Sequence, residues 1–461
     1  MRKGLLVTLL GGVLAFGCAS PEPPPPAGDY VLIQNGTLID GTGASPQAAT
    51  DLLIRDDRVE RIGQNLEAPA GATVVDATGK YLIPGLIDAH AHLDGTMVFQ
   101  LSPEEKQEIL DHNPSAFLYN GVTTILNLIS NPERIFAMRH AQRDSALVAP
   151  RIYATGGVFT PDGGWGTRHR SGLASAEAAR EQALDFIRQG TDGFKITIED
   201  GLGRSGHSVE MPDDILQAIA EVAHEHDVPM FIHAINIEEY RRAVAVSPRA
   251  IVHGLEDPIP EGDPLIADLL EKNIFVVPTL SLWEAFLRMD GSFDDPVHNA
   301  TVPQFLVANL QSPEYRAVEI EKFAAVVKID AEEWARTRIP IFMENVAKMH
   351  RAGVKIAVGT DACGRVGFAL QGYNTPWELD LLVQCGLTPM ETLVAATRNG
   401  ADTIGVLDEL GTLEPGKFAD LLILDADPLE DIRNVRKFEV LIQGGQVLER
   451  SQFAYKPRKT S

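Results

Sequence analysis

The sequence predicts an α/β fold: a closed TIM (β/α)8 barrel beside a small β-domain that the two ends of the chain build together. In the middle of the chain, apolar strand-like runs alternate with helical patterns, and eight such strands can be traced. Strands that alternate with helices indicate parallel βα units, and eight units close into a barrel. Residues 30–82 and 408–461 instead contain short strand patterns separated by turn signals such as Asn35-Gly36. The expected domains are therefore a barrel over residues 83–407 and a composite β-domain built from the two flanks.

The predicted barrel strands share a short apolar run, and several of these runs end at a polar residue. They are the run that ends at His90, followed by residues 121–128, 151–155, 193–198, 229–233, 250–253, 274–280 and 354–359. Helices are expected between them, for example over residues 175–188 before Gly190, and from Pro212 onward. The segment 283–350, between the seventh and eighth strands, is unusually long. It can form a lid over the barrel mouth or pack onto the outer helices, and its aromatic residues fit both interpretations.

The composition limits the class of partner. The chain has 461 residues and a formal net charge of −24, which argues against nucleic acid or an anionic membrane surface as a partner. Hydrophobic residues make up 44% of the chain, so a large folded core is expected. Three cysteines cannot form a disulfide framework. The expected partner is a small-molecule substrate, and formation of a homo-oligomer is left open.

Residues 1–18 read as an export signal. Two basic residues precede an apolar run, residues 5–16, that is too short to span a bilayer. The run ends at Cys18 in a pattern that resembles a bacterial lipobox, so cleavage before Cys18 and lipidation of its thiol are expected. Residues 19–29 are rich in proline and predict an extended tether. We therefore expect a protein of the bacterial cell envelope, on the periplasmic or outer-membrane side, that touches the membrane only through its lipid anchor. A bulky residue two positions before Cys18 leaves ordinary secretion as the alternative.

Two histidines one residue apart end the first predicted strand. Residues i and i+2 of a strand project from the same face, so His90 and His92 can reach one point. Two imidazoles at one point suit a divalent metal such as zinc, although a buried strand with two hydrogen-bonded histidines has the same pattern. Four more ligand-type residues fall in or near the ends of other predicted strands, where such a barrel carries its active site. They are Lys195, His233, His253 and Asp361.

Several motifs together resemble the amidohydrolase superfamily, and the resemblance extends over nearly the whole mature chain. The matching segments are residues 35–41 (NGTLIDG), 84–92 (PGLIDAHAH), 359–362 (GTDA), 411–421 (GTLEPGKFADL) and 427–429 (DPL). The resemblance implies a distorted TIM (β/α)8 barrel with a small β-sandwich formed by the N- and C-terminal segments. The surroundings of Lys195, residues 190–196 (GTDGFKI), are similar to those of prolidase-like and dipeptidase-like members.

The resemblance also implies a binuclear metal centre, with zinc as the expected metal. The more buried ion would be held by His90, His92 and Asp361, and the more exposed ion by His233 and His253. Lys195 would bridge the two ions as a carbamate made with CO2, because a lysine ammonium has only hydrogen-bond donors and cannot bind a cation itself.

The function implied by the resemblance is hydrolysis of an amide bond, in a peptide or an N-acyl amino acid, by attack of a metal-bridging hydroxide. Asp361 would be the catalytic acid and base. Deaminases of the superfamily usually have a glutamate three residues after the histidine of the fifth strand, and Asn236 occupies that position here. Two alternatives stay open: hydrolysis of an ester, lactone or xenobiotic carbonyl at the same site, and a non-catalytic surface lipoprotein that binds a metal or another ligand.

Substrate recognition is the least specified part of the sequence. The loop after the third predicted strand carries Arg168 and Arg170, which could hold a substrate carboxylate through paired hydrogen bonds. The loop after Lys195 carries His207, a further candidate for substrate binding. The alternative for each of these three residues, and the more common one for such loops, is a solvent-exposed position without contact to substrate. The substrate, the native metal and the oligomeric state do not follow from the sequence.

Overall fold

The structure is a computed structural model that describes residues 28–95, 98–166, 172–288, 295, 297–363 and 369–457. The predicted signal peptide, with Cys18, and most of the predicted tether lie outside these residues. Among the helices that the structure describes, none combines the length and the apolar character needed to cross a membrane.

The described residues form a run of strands and α-helices in the order strand-rich, alternating, strand-rich. The strands are β1 (Tyr30–Leu38), β2 (Gln47–Arg55), β3 (Arg58–Gly63), β4 (Thr73–Asp76), β5 (Tyr81–Pro84), β6 (Leu86–Ala91), β7 (Val122–Asn127), β8 (Arg151–Ala154), β9 (Val158–Phe159), β10 (Phe194–Thr197), β11 (Met230–His233), β12 (Ala250–Val252), β13 (Phe275–Val277), β14 (Leu421–Leu424), β15 (Phe438–Gln443) and β16 (Gln446–Glu449). The helices are α1 (Pro103–Tyr119), α2 (Pro132–Arg143), α3 (Ala176–Arg188), α4 (Asp213–Glu225), α5 (Ile237–Ala245), α6 (Leu265–Glu271), α7 (Leu280–Ala285), α8 (Val297–Thr301), α9 (Gln304–Gln311), α10 (Pro313–Val327), α11 (Ala331–Ala352), α12 (Asn374–Gln384), α13 (Pro389–Ala396) and α14 (Arg398–Ile404).

Strands from the two ends of the chain share one sheet, which forms the β-sandwich. Its order is β16-β15-β14-β5-β1-β2-β3, with β4 beside β1. β14 pairs antiparallel with β5, so that Leu421 lies opposite Pro84 and Leu424 opposite Tyr81. The prediction that both ends of the chain contribute to one β-sandwich is confirmed, because β1 to β5 and β14 to β16 share one sheet.

Parallel strands in the middle of the chain form the barrel wall. β6, β7 and β8 pair as one sheet, and β9 to β13 pair as a second sheet in the order β13-β12-β11-β10-β9. Residues 354–359, predicted as the eighth strand, do not form a continuous ladder. They bond to each neighbour at single points: the Ala357 N–H donates to the Val276 carbonyl, and the Ala89 N–H donates to the Val358 carbonyl. The barrel is therefore distorted where it closes, as the family resemblance implied.

Helices α3 and α4 form where the sequence predicts them. Ser175 caps α3, because its hydroxyl accepts a hydrogen bond from the backbone N–H of Ala178. α4 follows Pro212 and buries Ile215 and Ile219. Both helices lie between consecutive barrel strands in the chain, as parallel βα units require.

The long segment before the barrel closes is largely helical, and it is held by buried aromatic residues. Trp283, Phe286, Trp334 and Phe342 form an aromatic cluster whose ring centroids are 5.2 to 6.2 Å apart. All four side chains are buried. This packing joins α7 to α11. For the described part of the segment, it favours packing against the barrel over a movable lid.

An ion pair joins the sandwich sheet to the barrel. Nε and Nη2 of Arg151, at the start of β8, donate to the Asp420 carboxylate at 2.6 and 3.2 Å. The backbone N–H of Gly444 donates to the same carboxylate at 2.6 Å. The Arg151 guanidinium also lies 3.7 Å from the ring centroid of Phe418. Because the Asp420 side chain is 6% exposed, the pair is largely desolvated and links the two parts of the fold.

We expect Asp420→Ala to lower the free energy of unfolding by about 3–5 kcal/mol, because it leaves the mostly buried Arg151 guanidinium without its carboxylate. Asp425→Ala is the matched control, since Asp425 pairs with Lys80 at 2.7 Å but both side chains are more than a third exposed. Loss of that surface pair should cost less than about 1 kcal/mol. Urea denaturation of the native protein and both variants measures the difference, and equal losses would contradict this role of Asp420.

Candidate metal centre

Two histidines and an aspartate meet at the carboxyl end of the barrel. His90 lies in β6, His92 follows directly, and Asp361 follows the segment that closes the barrel. Nε2 of His92 lies 2.6 Å from Oδ1 of Asp361, and Nε2 of His90 lies 3.7 Å from the same oxygen. One ligand-type atom of each residue lies within 4.8 Å of the other two, which is close enough for all three to hold one metal ion.

The backbone holds Asp361 against His90. The N–H groups of Thr360 and Asp361 both donate to the His90 carbonyl, at 3.2 and 2.7 Å. Asp361 has a left-handed backbone conformation, with a φ of +50°, which costs a non-glycine residue on the order of 1–3 kcal/mol. Gly359 permits the close approach, because a Cβ there would lie 2.9 Å from the His90 backbone nitrogen and 2.4 Å from the Val277 side chain.

The buried carboxylate of Asp88 supports the same junction. Its Oδ1 accepts hydrogen bonds from the backbone N–H groups of His90, at 3.1 Å, and Thr360, at 3.2 Å. Its Oδ2 accepts from the hydroxyls of Thr360, at 2.7 Å, and Thr375, at 3.0 Å. Burial raises the pKa of Asp88 to about 6, although these hydrogen bonds oppose the shift. Asp88 thus ties the strand that carries the two histidines to the segment that carries Asp361.

Lys195 reaches the same point from β10. Its Nζ lies 3.4 Å from Nε2 of His90, and the residue is 1% exposed. Burial lowers the pKa of Lys195 to about 7, while the negative charges of Asp361 and Glu199 act in the opposite direction. A substantial fraction of Lys195 is therefore a neutral amine at pH 7, with a lone pair that can act as a nucleophile.

The two remaining histidines lie side by side next to His90. His233 ends β11 and His253 follows β12. Their ring centroids are 4.1 Å apart, and the His253 ring lies 4.8 Å from the His90 ring. Burial lowers the pKa of both His90 and His253 well below the usual range. These two imidazoles are therefore neutral at pH 7 and can offer a lone pair to a metal ion.

In three of the imidazoles, one ring nitrogen has a partner that is not itself a candidate metal ligand. Nδ1 of His92 lies 3.4 Å from a backbone carbonyl, and Nδ1 of His253 lies 2.9 Å from the Thr279 hydroxyl. Nε2 of His233 lies 2.7 Å from Oε2 of Glu199. A partner on one ring nitrogen fixes the tautomer and aims the other nitrogen, which is the usual arrangement around a metal ion.

The donor set fits divalent metal ions. Imidazole and carboxylate groups are the preferred ligands of zinc and similar ions. Nδ1 of His90 is buried and has no hydrogen-bond partner among the described residues, whereas its Nε2 faces Lys195 and Asp361. A metal ion at this point would be shared by His90, His92 and Asp361, whose ligand atoms lie within 4.8 Å of one another.

Three residues that support the site were missed in the sequence. Asp88 lies two positions before His90, so the strand period of two contained a signal for it. Glu199 lies two positions beyond the end of β10, where the strand period no longer applies. Thr279 has no comparable signal, because its contact with His253 depends on a left-handed backbone with a φ of +50°.

Asn236, which occupies the glutamate position of deaminases, has a structural role. It is the N-cap of α5, and its side chain accepts hydrogen bonds from the backbone N–H groups of Glu238 and Glu239. Glu239 completes a capping box by accepting from the backbone of Asn236. These contacts account for the residue without a part in proton transfer.

The predicted substrate-binding residues are only partly described. Arg168 and Arg170 lie outside the described residues, as does Cys18, the predicted site of lipidation. His207 lies in the loop after β10, and the nearby charges of Glu199 and His233 act on its pKa in opposite directions. Burial, the largest influence, lowers that pKa.

His207 has one ring nitrogen engaged and one without a partner. Its Nδ1 lies 2.8 Å from the Ser205 hydroxyl, and its ring contacts Trp165 edge to face, with centroids 5.5 Å apart. Nε2 is buried and has no hydrogen-bond partner within the described part of the chain. That nitrogen keeps His207 as a candidate for substrate binding.

The aromatic cluster borders the same site. The Trp283 ring lies 5.6 Å from the His253 ring. Nε1 of Trp283 is buried without a hydrogen-bond partner among the residues that the structure describes. Trp283 therefore gives the site an apolar face next to His253, with one N–H group that no acceptor among the described residues occupies.

Comparison with known proteins gives a family match over most of the chain. Residues 81–447 match the model described as Amidohydrolase family. Over 452 aligned residues the chain is 24% identical to an ochratoxinase from Aspergillus niger, covering 87% of this chain and 82% of that protein. A candidate prolidase from Bifidobacterium longum has a similar structure, with a TM-score of 0.72, 26% identity and coverage of 92% of this chain and 95% of that one. A molinate hydrolase has a TM-score of 0.74 at 22% identity, with coverage of 94% and 99%.

The matched segment contains every residue described above as a candidate metal ligand, from His90 to Asp361. The structural similarity extends over both the barrel and the β-sandwich, since more than nine-tenths of the chain is covered. The chain belongs to the amidohydrolase family, is a hydrolase, and resembles the prolidase-like and dipeptidase-like members of that family.

Proposed function

We propose that this protein is a binuclear metal-dependent amidohydrolase that cleaves an amide bond in a peptide or an N-acyl amino acid. The position of Lys195 is the observation that carries the proposal, because its Nζ lies 3.4 Å from Nε2 of His90 in a pocket bordered by Asp361. A lysine buried among imidazoles costs stability unless it is neutral or modified. A bridging role between two metal ions would explain why a lysine is buried here in spite of the loss of stability.

Two donor sets would hold the ions, which we propose to be zinc. One set is His90, His92 and Asp361, and the other is His233 and His253, with Lys195 between them. When bound, the ions supply Lewis-acid polarisation of the scissile carbonyl and a lowered pKa for water. The protein supplies the orientation of the ligands, the proton transfer and the binding of the substrate.

We propose that Lys195 is carboxylated. The neutral amine, which a pKa of about 7 makes abundant at neutral pH, attacks CO2 and forms an N–C bond. The resulting carbamic acid then loses a proton. The product has one negative charge and two oxygens, whereas the lysine ammonium has donors only.

Asp361 is the proposed catalytic acid and base. Its carboxylate takes the proton of the attacking water and returns it to the nitrogen that leaves. The hydrogen bonds from Thr360 and Asp361 to the His90 carbonyl hold the aspartate in place for both transfers. The reaction then needs no serine or cysteine nucleophile.

A second candidate is hydrolysis of an ester, lactone or xenobiotic carbonyl by the same residues. The similarity to an ochratoxinase and to a molinate hydrolase, neither of which is named as a peptidase, favours keeping it. The apolar wall beside His253 would suit a bulky non-peptide group as well as an apolar amino-acid side chain.

Removal of the metal should abolish hydrolysis, and zinc should restore it. We expect about two ions per chain in the native protein and loss of one ion in Lys195→Ala, with kcat/KM lower by roughly 100-fold or more. Lys355→Ala is the control, because this lysine is half-exposed and pairs with Asp402 at 3.2 Å. Elemental analysis and activity measurements test this, and a Lys195→Ala protein with two ions and native activity would exclude the bridging role.

His207 should contribute to binding of a substrate carboxylate through its unpartnered Nε2. We expect His207→Ala to lower kcat/KM for dipeptides or N-acyl amino acids by about 10–100-fold, since a hydrogen bond to a charged group contributes about 1.5–3 kcal/mol. The effect on an aryl ester or lactone without a carboxylate should be small. His224→Ala, on the exposed side of α4, is the matched control. Higher activity of the native protein on esters and lactones than on any amide would favour the second candidate function.

We also propose that the protein is anchored to the cell envelope by a lipid on Cys18, on the strength of the lipobox-like end of its signal sequence. The native protein should then fractionate with membranes, and Cys18→Ser should release it, because the lipid is the expected anchor. Membrane fractionation of expressing cells measures this. Native protein found in the soluble fraction would contradict anchoring.

A further inference from the structure

His233 differs from the other candidate ligands in the partner on its second ring nitrogen. His92 faces a backbone carbonyl and His253 a threonine hydroxyl, whereas His233 faces the carboxylate of Glu199 at 2.7 Å. A carboxylate is the strongest acceptor of the three, because a hydrogen bond to an ionised group is roughly twice as strong as one between neutral groups. This contact therefore restrains the ring of His233 through a carboxylate, as the 2.6 Å contact with Asp361 restrains the ring of His92.

Glu199 is placed at the site by the strand that carries Lys195. Glu199 lies two residues beyond the end of β10, and its carboxylate reaches His233, the last residue of the neighbouring strand β11. Glu199 is 3% exposed, and the hydrogen bond recorded on its carboxylate among the described residues is the one from His233. Burial of a carboxylate beside an imidazole lowers the stability of the fold. A role in function would explain why the contact is kept.

The hydrogen bond also decides which nitrogen of His233 can bind a metal ion. With the proton on Nε2, donated to Glu199, the lone pair of the neutral ring lies on Nδ1. Nδ1 is then the nitrogen available for the pocket that His233 shares with His253, whose ring lies 4.1 Å away. His253 has the opposite arrangement, since its Nδ1 is engaged by Thr279 and its Nε2 is available.

We infer that Glu199 is a positioning residue that fixes the Nε2–H tautomer and the ring orientation of His233, and so sets the affinity of the ion held by His233 and His253. The inference rests on the proposed binuclear site. Groups that orient a metal-binding histidine typically change metal affinity by about 10–100-fold when they are removed. Glu199 makes no recorded hydrogen bond to His90, His92 or Asp361 among the described residues, so an ion held by those three residues would be less affected.

A different role for Glu199, direct binding to the ion, makes an opposite prediction for the glutamine variant. A glutamine can still accept the N–H of His233 through its amide oxygen, so it preserves orientation. It cannot replace an anionic ligand. Glu199→Gln and Glu199→Ala therefore separate the two roles.

The test is a zinc titration of the native protein, Glu199→Ala and Glu199→Gln, with elemental analysis after dialysis. We expect Glu199→Ala to weaken one of the two ions by about 10–100-fold and to leave the other unchanged. Glu199→Gln should keep two ions, with the weaker one within roughly tenfold of its native affinity. Native affinity for both ions in Glu199→Ala, or equal losses in both variants, would overturn the inference.

Glu256→Ala is the matched control. Glu256 is also a buried carboxylate, 1% exposed, but it accepts hydrogen bonds from Nε1 of Trp334 and from the backbone N–H of Gly203. Its removal should destabilise the fold to a similar extent without selective loss of one ion. If Glu256→Ala loses the same ion as Glu199→Ala, the effect is one of general stability and the inference fails.

A second readout needs neither metal nor substrate. In the metal-free protein, long-range 1H–15N correlations of the histidine rings should show His233 as the Nε2–H tautomer, and Glu199→Ala should change that pattern. If Glu199→Ala changes the tautomer of His233 but the native protein binds fewer than two ions, the binuclear function is refuted. The positioning of His233 by Glu199 is still supported in that case. An unchanged tautomer in a working two-ion hydrolase would refute the inference alone.

Discussion

The contact between Asp88 and the segment that closes the barrel is the constraint on which the rest of the site depends. The first strand of a closed barrel must meet the last, and here one buried carboxylate accepts hydrogen bonds from both: from the N–H of His90 and from the N–H and hydroxyl of Thr360. The closing segment forms no continuous ladder, so this contact and a few backbone hydrogen bonds hold Asp361 beside His90. The pKa of Asp88, raised to about 6, reflects what burial costs such a group.

Much of this arrangement could be predicted from the sequence, because it follows from the strand period of two and from the alternation of strands with helices. The period of two places His90 and His92 on one face, and the alternation of strands and helices places other ligand-type residues at the same end of the barrel. Lys195 and His233 lie on neighbouring strands, β10 and β11, and Nζ of Lys195 lies 3.4 Å from Nε2 of His90. None of these inferences required knowledge of a loop conformation.

The directions of several side chains in the site could not be predicted, because they depend on local backbone conformations that a repeating sequence pattern does not indicate. The left-handed residues His253, Thr279 and Asp361 follow barrel strands, and their conformations decide where the side chains point. Glu199 was missed for another reason: the chain has 64 acidic residues, and the pattern around Lys195 singles out this one only after its contact with His233 is known. The eighth strand was overpredicted, since an apolar run such as residues 354–359 has the same composition whether it forms a ladder or single bridges.

The sheet shared by the two chain ends has a consequence for the order in which the molecule can assemble. Tyr81 pairs with Leu424, about 340 positions further along the chain. Pairing over such a distance is slow, because a long loop must close before the contact forms. On the ribosome, β1 to β5 emerge early but cannot complete their sheet until about the last 40 residues have been made. A polypeptide with this order of strands cannot complete the sheet until translation is nearly finished.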